Sequence, residues 1–236
     1  MTSKVAASFN VGDDASNDGS FKRVTSQFRH WIRANGSTPF PAQANRYHLY
    51  VSYACPWACR CLMVLALKGL NHVVGVTSVD WLLNDRVNGW RFGHEGDNEP
   101  NFPTEKMQFL RQIYSKSTEP DKYDGRVTVP VLFDTVTNKI VNNESSEIIQ
   151  MFNSEFNEFA TNPHLDLYPA DLQAEIDQVN EWVYDTVNNG VYKCGFATAQ
   201  APYEKSYGEL FASLDKLDDM LDKKRYLVSN TRLTLA

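Results

Sequence analysis

The sequence predicts an α/β domain followed by an all-helical domain. Three observations carry this reading. A strand, a helix and a second strand follow one another between Arg46 and Val79, the size of a βαβ unit. A hairpin and a helix follow between Val127 and Phe152. Beyond Pro169 the pattern changes to long apolar stripes of helical period. The order β-α-β then β-β-α is that of a thioredoxin-like fold.

Taken in order, residues 1–45 read as an N-terminal extension, partly disordered, because Met1 to Gly19 is rich in Ser, Asn, Asp and Gly and lacks periodicity. The first strand is Arg46–Tyr53, where Tyr47, Leu49, Val51 and Tyr53 alternate with Arg46, His48, Tyr50 and Ser52. Pro56–Lys68 suits a helix with its proline in the first turn and Gly69 as its stop. It is apolar nearly all round, which predicts burial. His72–Val79 reads as the second strand.

Residues 80–124 are an insertion into a domain spanning 46–160, with a loop at Gly93–Asn101 and a helix at Thr104–Tyr114. Val127–Asp134 and Ile140–Val141 form the hairpin. Pro130 inside that strand would remove a ladder hydrogen bond if trans, so a cis Val129–Pro130 bond is expected. A helix over Glu144–Phe152 takes Asn143 as its N-cap. The linker is Thr161–Pro169, and 170–236 is a partial helical domain. Its stripes are Leu172, Ile176, Val179, Val183 and Val187, then Tyr207, Leu210, Phe211, Leu214, Leu217 and Leu221.

With 42% hydrophobic residues the chain can build a real core, and a net charge of −6 argues against a nucleic-acid partner, which needs a basic face. No stretch is long and apolar enough to span a membrane, and Met1 to Asn10 lacks a secretory apolar run. A soluble, cytoplasmic protein is expected. The cysteines at 55, 59, 61 and 194 do not have the even spread of a disulfide framework.

The chemistry centres on Cys55. It precedes Pro56-Trp57-Ala58 at a strand-to-helix junction, where free amides and the helix dipole favour a thiolate nucleophile. Ala58 stands where a resolving thiol of a C-x-x-C motif would be, so the site works with one thiol. Cys55, Cys59 and Cys61 approach a cluster-binding spacing, but Leu62 stands at the third ligand position, and no metal is expected. Cys59 and Cys61 read instead as buried helix positions, and a Cys55–Cys59 disulfide strains bridge geometry.

The runs Cys55-Pro56-Trp57-Ala58, Gly125 to Phe133 and Ile140 to Ile149 together resemble the Xi-class glutathione transferases. So do Arg29-His30-Trp31-Ile32 and Asn189 to Ala197. The resemblance implies a thioredoxin-like domain plus an all-α domain of glutathione-transferase type, and glutathionyl-hydroquinone reductase activity with glutathione as co-substrate.

It implies that Glu144 and Ser145 hold the γ-glutamyl group of glutathione and that the Val129 backbone pairs with its cysteinyl part. It further implies that Trp90 lies beside the thiol, that Arg111 is a basic contact with Arg126 as its rival, and that Tyr192 lines an acceptor pocket. Partners would be glutathione and glutathionylated quinols, with a homodimer usual in the family. Two departures stand out: Cys59 and Cys61 replace other residues, and the family's helical domain continues past Ala236, so the domain is expected to be incomplete. An Omega-like thioltransferase or dehydroascorbate reductase, or a non-catalytic binding protein of the same fold, remain open as rivals.

Overall fold

The central strand of the sheet is the one the alternating pattern marks first. β1 (Tyr47–Val51) pairs in parallel with β2 (Gly75–Ser78) and antiparallel with β3 (Val131–Asp134), which pairs antiparallel with β4 (Lys139–Asn142). The order is β2-β1-β3-β4. The structure is a computed structural model and describes residues 16–83, 88–93 and 107–236. Most of the loop expected at 93–101, and residues 104–106 of the expected helix, lie outside the described residues.

The described residues divide into two units, one of residues 26–165 and one of residues 16–25 with 166–236. The boundary at 165/166 falls inside the expected linker. Residues 16–45 are not a free extension: Arg29 bridges to Asn142, the His30 amide donates to Val141, and Ile32 is fully buried.

In the first unit every β1 residue is buried, on both faces of the strand. A central strand covered on both faces needs no polar face, and the polar residues it does carry find partners. His48 Nε2 lies 2.8 Å from Thr77 Oγ1, and burial pushes its imidazole down to about 4. At the far end of the β1–β3 pair, Arg46 donates through Nε and Nη2 to the fully buried Asp134 carboxylate, at 2.9 and 2.7 Å.

α1 (Pro56–Leu67) opens with Pro56 at its first position, and Gly69 follows it with φ of 66°, a left-handed conformation that glycine adopts without strain. The helix is not buried all round. Ala58, Cys61, Val64 and Leu65 face the core, whereas Met63 and Cys59 are exposed. Lys68 at its C-cap is fully buried, and its ammonium donates to Asn157 Oδ1 (2.7 Å) and Leu165 O (2.6 Å). That tether fixes the chain as it leaves the α/β unit.

α2 (Leu110–Lys116) is shorter than the expected helix. Its start is capped by Gln112, whose Oε1 accepts from the amides of Gln108 and Phe109. α3 (Ser145–Ser154) takes Glu144, not Asn143, as its N-cap, through an acceptor bond from the Ser146 amide. Asn143 is occupied elsewhere: its Oδ1 accepts from the Phe28 amide and its Nδ2 donates to Tyr114 Oη.

The second unit holds α4 (Gln173–Val183), a π-helical turn at Tyr184–Asn188, α5 (Gly190–Gly195) and α6 (Gln200–Lys223). Ile176, Val179 and Val228 form its core. Of the second predicted stripe, only Leu210 is buried. Tyr207, Phe211, Leu214 and Leu221 are exposed, although the helix itself, α6, forms where the period predicts one. No helix of the described residues is long and apolar enough to cross a membrane.

Candidate active site

Cys55 is the N-cap of α1, held in an extended conformation by a tight entry to the helix. Its amide donates to Ser52 O (3.0 Å), and its carbonyl accepts from the Cys59 amide (3.0 Å). The half-buried sulfur lies 3.5 Å from the carbonyl oxygen of Val129. The first-turn amides of α1 have no carbonyl of their own helix to bond, so the sulfur sits at the end of the helix that favours an anion.

Val129 precedes a cis proline, as the sequence predicts. It lies two residues before β3, and the segment leading into it is clamped by a side chain that sequence reasoning missed. Tyr114 Oη donates to Thr128 O (2.9 Å) and accepts from Thr128 N (3.3 Å) and Asn143 Nδ2. Tyr114 is fully buried, and burial raises its pKa, so the phenol stays neutral and can do both. Trp90 and Cys55 pack against the same apolar cluster, which includes Tyr50, Tyr114 and Val129.

At the start of α3, the Glu144 carboxylate accepts from Ser146 N, Ser146 Oγ and Ser26 Oγ. Ser145 is buried, and its hydroxyl oxygen accepts from Arg60 Nε (2.9 Å) and Nη2 (2.7 Å). Arg60 Nη2 also lies 3.7 Å from Glu144 Oε1, and its guanidinium stands 4.9 Å from the centre of the Trp57 ring. Sequence reasoning did not single out Arg60. The only signal was a cation one turn beyond the Cys55 motif, which is commonplace on a helix.

Arg111 lies on α2, and its Nη1 donates to Tyr123 O (3.0 Å) and Gly125 O (3.3 Å), bracing the turn that leads to β3. Its Nε is buried and meets no acceptor among the described residues. Tyr192 belongs to the second unit, where it stacks near Phe21 (6.2 Å between ring centres) and carries the Arg23 guanidinium 4.3 Å from its ring centre. Arg23 is held by Asn189 Oδ1.

All four cysteines are free thiols. Cys61 is buried as expected, and burial drives its pKa far up, which makes it inert; Cys59 is exposed, against the expectation of a buried position. Among the described residues no group of three His, Cys, Asp or Glu side chains is placed to hold a metal ion.

A thioredoxin-like unit with a cysteine at the N-cap of its first helix, a cis proline facing it and a helical unit following in sequence defines a glutathione transferase architecture. The glutathione S-transferase N-terminal domain family matches residues 54–155. The chain is 46% identical over 218 residues to glutathione S-transferase omega-like 2 of Schizosaccharomyces pombe, covering 91% of this chain and 68% of that protein. It is 44% identical to the glutathionyl-hydroquinone reductase YqjG of Escherichia coli, covering 92% and 67%.

Among solved structures, the glutathione-S-transferase Xi from Phanerochaete chrysosporium superposes with a TM-score of 0.83 at 51% identity, covering 91% of this chain and 71% of that one. The glutathione-bound structure of YqjG matches with a TM-score of 0.80, covering 92% and 70%. The chain belongs to the Xi class of the glutathione transferases, and spans about two thirds of the length of these relatives.

Proposed function

We propose that the chain is a glutathione-dependent reductase that removes glutathione from glutathionyl-hydroquinones through a mixed disulfide on Cys55. The observation that carries this reading is the Cys55 sulfur at the N-cap of α1, 3.5 Å from the carbonyl before a cis proline. A helix start stabilises a thiolate, and backbone beside a cis proline suits strand-like pairing with an extended peptide. The name of the E. coli relative and the glutathione held by its solved structure support the same substrate class.

In the first step the Cys55 thiolate attacks the sulfur of the glutathionyl substituent. A sulfur–sulfur bond forms, the carbon–sulfur bond breaks, and the electron pair passes to the ring carbon, which takes a proton as the hydroquinone leaves. In the second step the thiolate of a free glutathione attacks the glutathionyl sulfur of the mixed disulfide. Oxidised glutathione departs and the Cys55 thiolate returns.

Glu144 and Ser145 at the start of α3 would hold the γ-glutamyl group, and Val129 the cysteinyl backbone. Arg111, whose Nη1 braces the turn before β3, would be the basic contact on the glutathione side of that turn. Trp90, sharing the core cluster of Cys55, would wall the sulfur. The chemistry calls for glutathione and no metal.

The test is turnover of glutathionylated menadiol by the intact protein and by Cys55→Ser. Activity confined to the wild type is expected, and equal rates would sink the proposal. A thioltransferase is the second reading, favoured by the name of the S. pombe relative. Faster reduction of hydroxyethyl disulfide than of the quinol conjugate would select it.

A further inference from the structure

We infer that Arg60 is a further binding residue of this site, taking the α-carboxylate of the γ-glutamyl group and thereby setting which way round that group's amine and carboxylate lie. The inference rests on the glutathione reading given above and adds a residue to it.

The first argument is geometric. Arg60 donates with both Nε and Nη2 to a single atom, the Ser145 hydroxyl oxygen, at 2.9 and 2.7 Å. That edge of a guanidinium is a planar fork whose two N–H groups run parallel, and it matches the two oxygens of a carboxylate. One hydroxyl oxygen uses it poorly. A carboxylate arriving beside Ser145 would give each N–H its own acceptor and release the Ser145 hydroxyl to donate to the same ligand.

The second argument is charge. Arg60 and Glu144 present opposite charges 3.7 Å apart, both only partly exposed. An α-amino acid end carries an ammonium and a carboxylate on one carbon, so this pair can receive it in one orientation only: ammonium to Glu144, carboxylate to Arg60 and Ser145. Without the guanidinium, Glu144 would repel the carboxylate at close range, and the α3 N-terminus alone would have to offset that repulsion.

The third argument is pre-organisation. The Trp57 ring, 4.9 Å from the guanidinium, restrains its plane. Trp57 and Arg60 are three residues apart and therefore neighbours on one face of α1. Because Cys55 caps the same helix, α1 carries both the reacting sulfur and the grip on the distal end of the tripeptide, 85 residues in sequence from Ser145.

The test measures dissociation constants by calorimetry on the full chain under reducing conditions, for wild type, Arg60→Gln and Arg60→Lys. Three ligands are compared: glutathione; glutaryl-cysteinyl-glycine, which keeps the carboxylate and lacks the ammonium; and 4-aminobutyryl-cysteinyl-glycine, which keeps the ammonium and lacks the carboxylate. Arg60→Gln should weaken the first two by roughly tenfold or more, the size of a lost charge-assisted hydrogen bond, and leave the third within about twofold.

Arg60→Lys, which keeps the charge and loses the fork, should show the same selectivity at smaller amplitude, and it carries the test if Arg60→Gln does not fold. Equal weakening of all three ligands, or of none, overturns the role given to Arg60. Wild-type protein that binds no glutathione overturns the underlying glutathione reading instead, and that result is read without any variant.

Discussion

Replacing Asp134 by alanine tests whether the sheet that positions Cys55 and Val129 is locked at its far end. Asp134 is wholly buried and accepts from Arg46 Nε and Nη2, from Thr137 Oγ1 (2.8 Å) and from the Val136 amide (3.0 Å). Breaking a buried ion pair by deleting one partner costs about 3–5 kcal/mol. Arg46 would keep Gln43 Oε1 and Pro39 O, and the turn at Val136 is open to water, so the low end applies: about 3 kcal/mol. Asp134→Asn, which keeps the shape and one acceptor, should lose about half of that.

The assay is urea unfolding followed by tryptophan fluorescence, to which Trp31, Trp57, Trp81 and Trp90 of the first unit contribute alongside Trp182 of the second. Burial raises the Asp134 pKa, but the bonds from Arg46, Thr137 and Val136 outweigh it and hold the carboxyl below 3.8. The pair therefore stabilises the fold above that pH and loses its effect as pH falls through the folded-state value. The gap between wild type and Asp134→Ala should narrow correspondingly below about pH 4. A loss under about 1 kcal/mol at neutral pH, the value of an exposed pair, would refute the reasoning.

Three further outcomes are expected. The buried His48 imidazole should stay neutral at pH 6 and titrate near 4, as read from its Cε1 proton resonance; because the unfolded state takes up a proton near 6.5, the fold should lose stability as pH falls from 6.5 toward 4. Brief iodoacetamide treatment of native protein should label Cys55 and exposed Cys59 and spare Cys61 until denaturant is added, and peptide mass mapping checks this. Ser145→Ala should raise the KM for glutathione by roughly tenfold with little change in kcat, since the contact proposed for its hydroxyl is with the end of the ligand remote from the sulfur; an equal fall in kcat would count against that role.

What the sequence made legible was the local chemistry. Cys55-Pro56 at a strand-to-helix junction and Val129-Pro130 inside a strand each carry their meaning within a few residues, and the N-cap position and the cis bond follow. Burial was harder. β1 alternates but is buried on both faces, and α1 looks apolar all round but exposes Cys59 and Met63, because covering a face is the act of distant elements.

Partnerships across long separations were not readable at all. Arg60 meets Ser145 across 85 residues, Lys68 meets Leu165 across 97, and Asn143 is drawn from the capping role to Phe28 and Tyr114. The α3 cap passed to Glu144, one residue on, since either side chain can accept from a first-turn amide.

The central claim is that the thiol capping α1 forms the covalent link to glutathione. Intact-mass analysis of the protein after one turnover's worth of glutathionylated menadiol, without free glutathione, should show a single glutathione adduct that maps to the Cys55 peptide and vanishes on adding glutathione. An adduct confined to Cys59, or none while hydroquinone is released, would contradict the account.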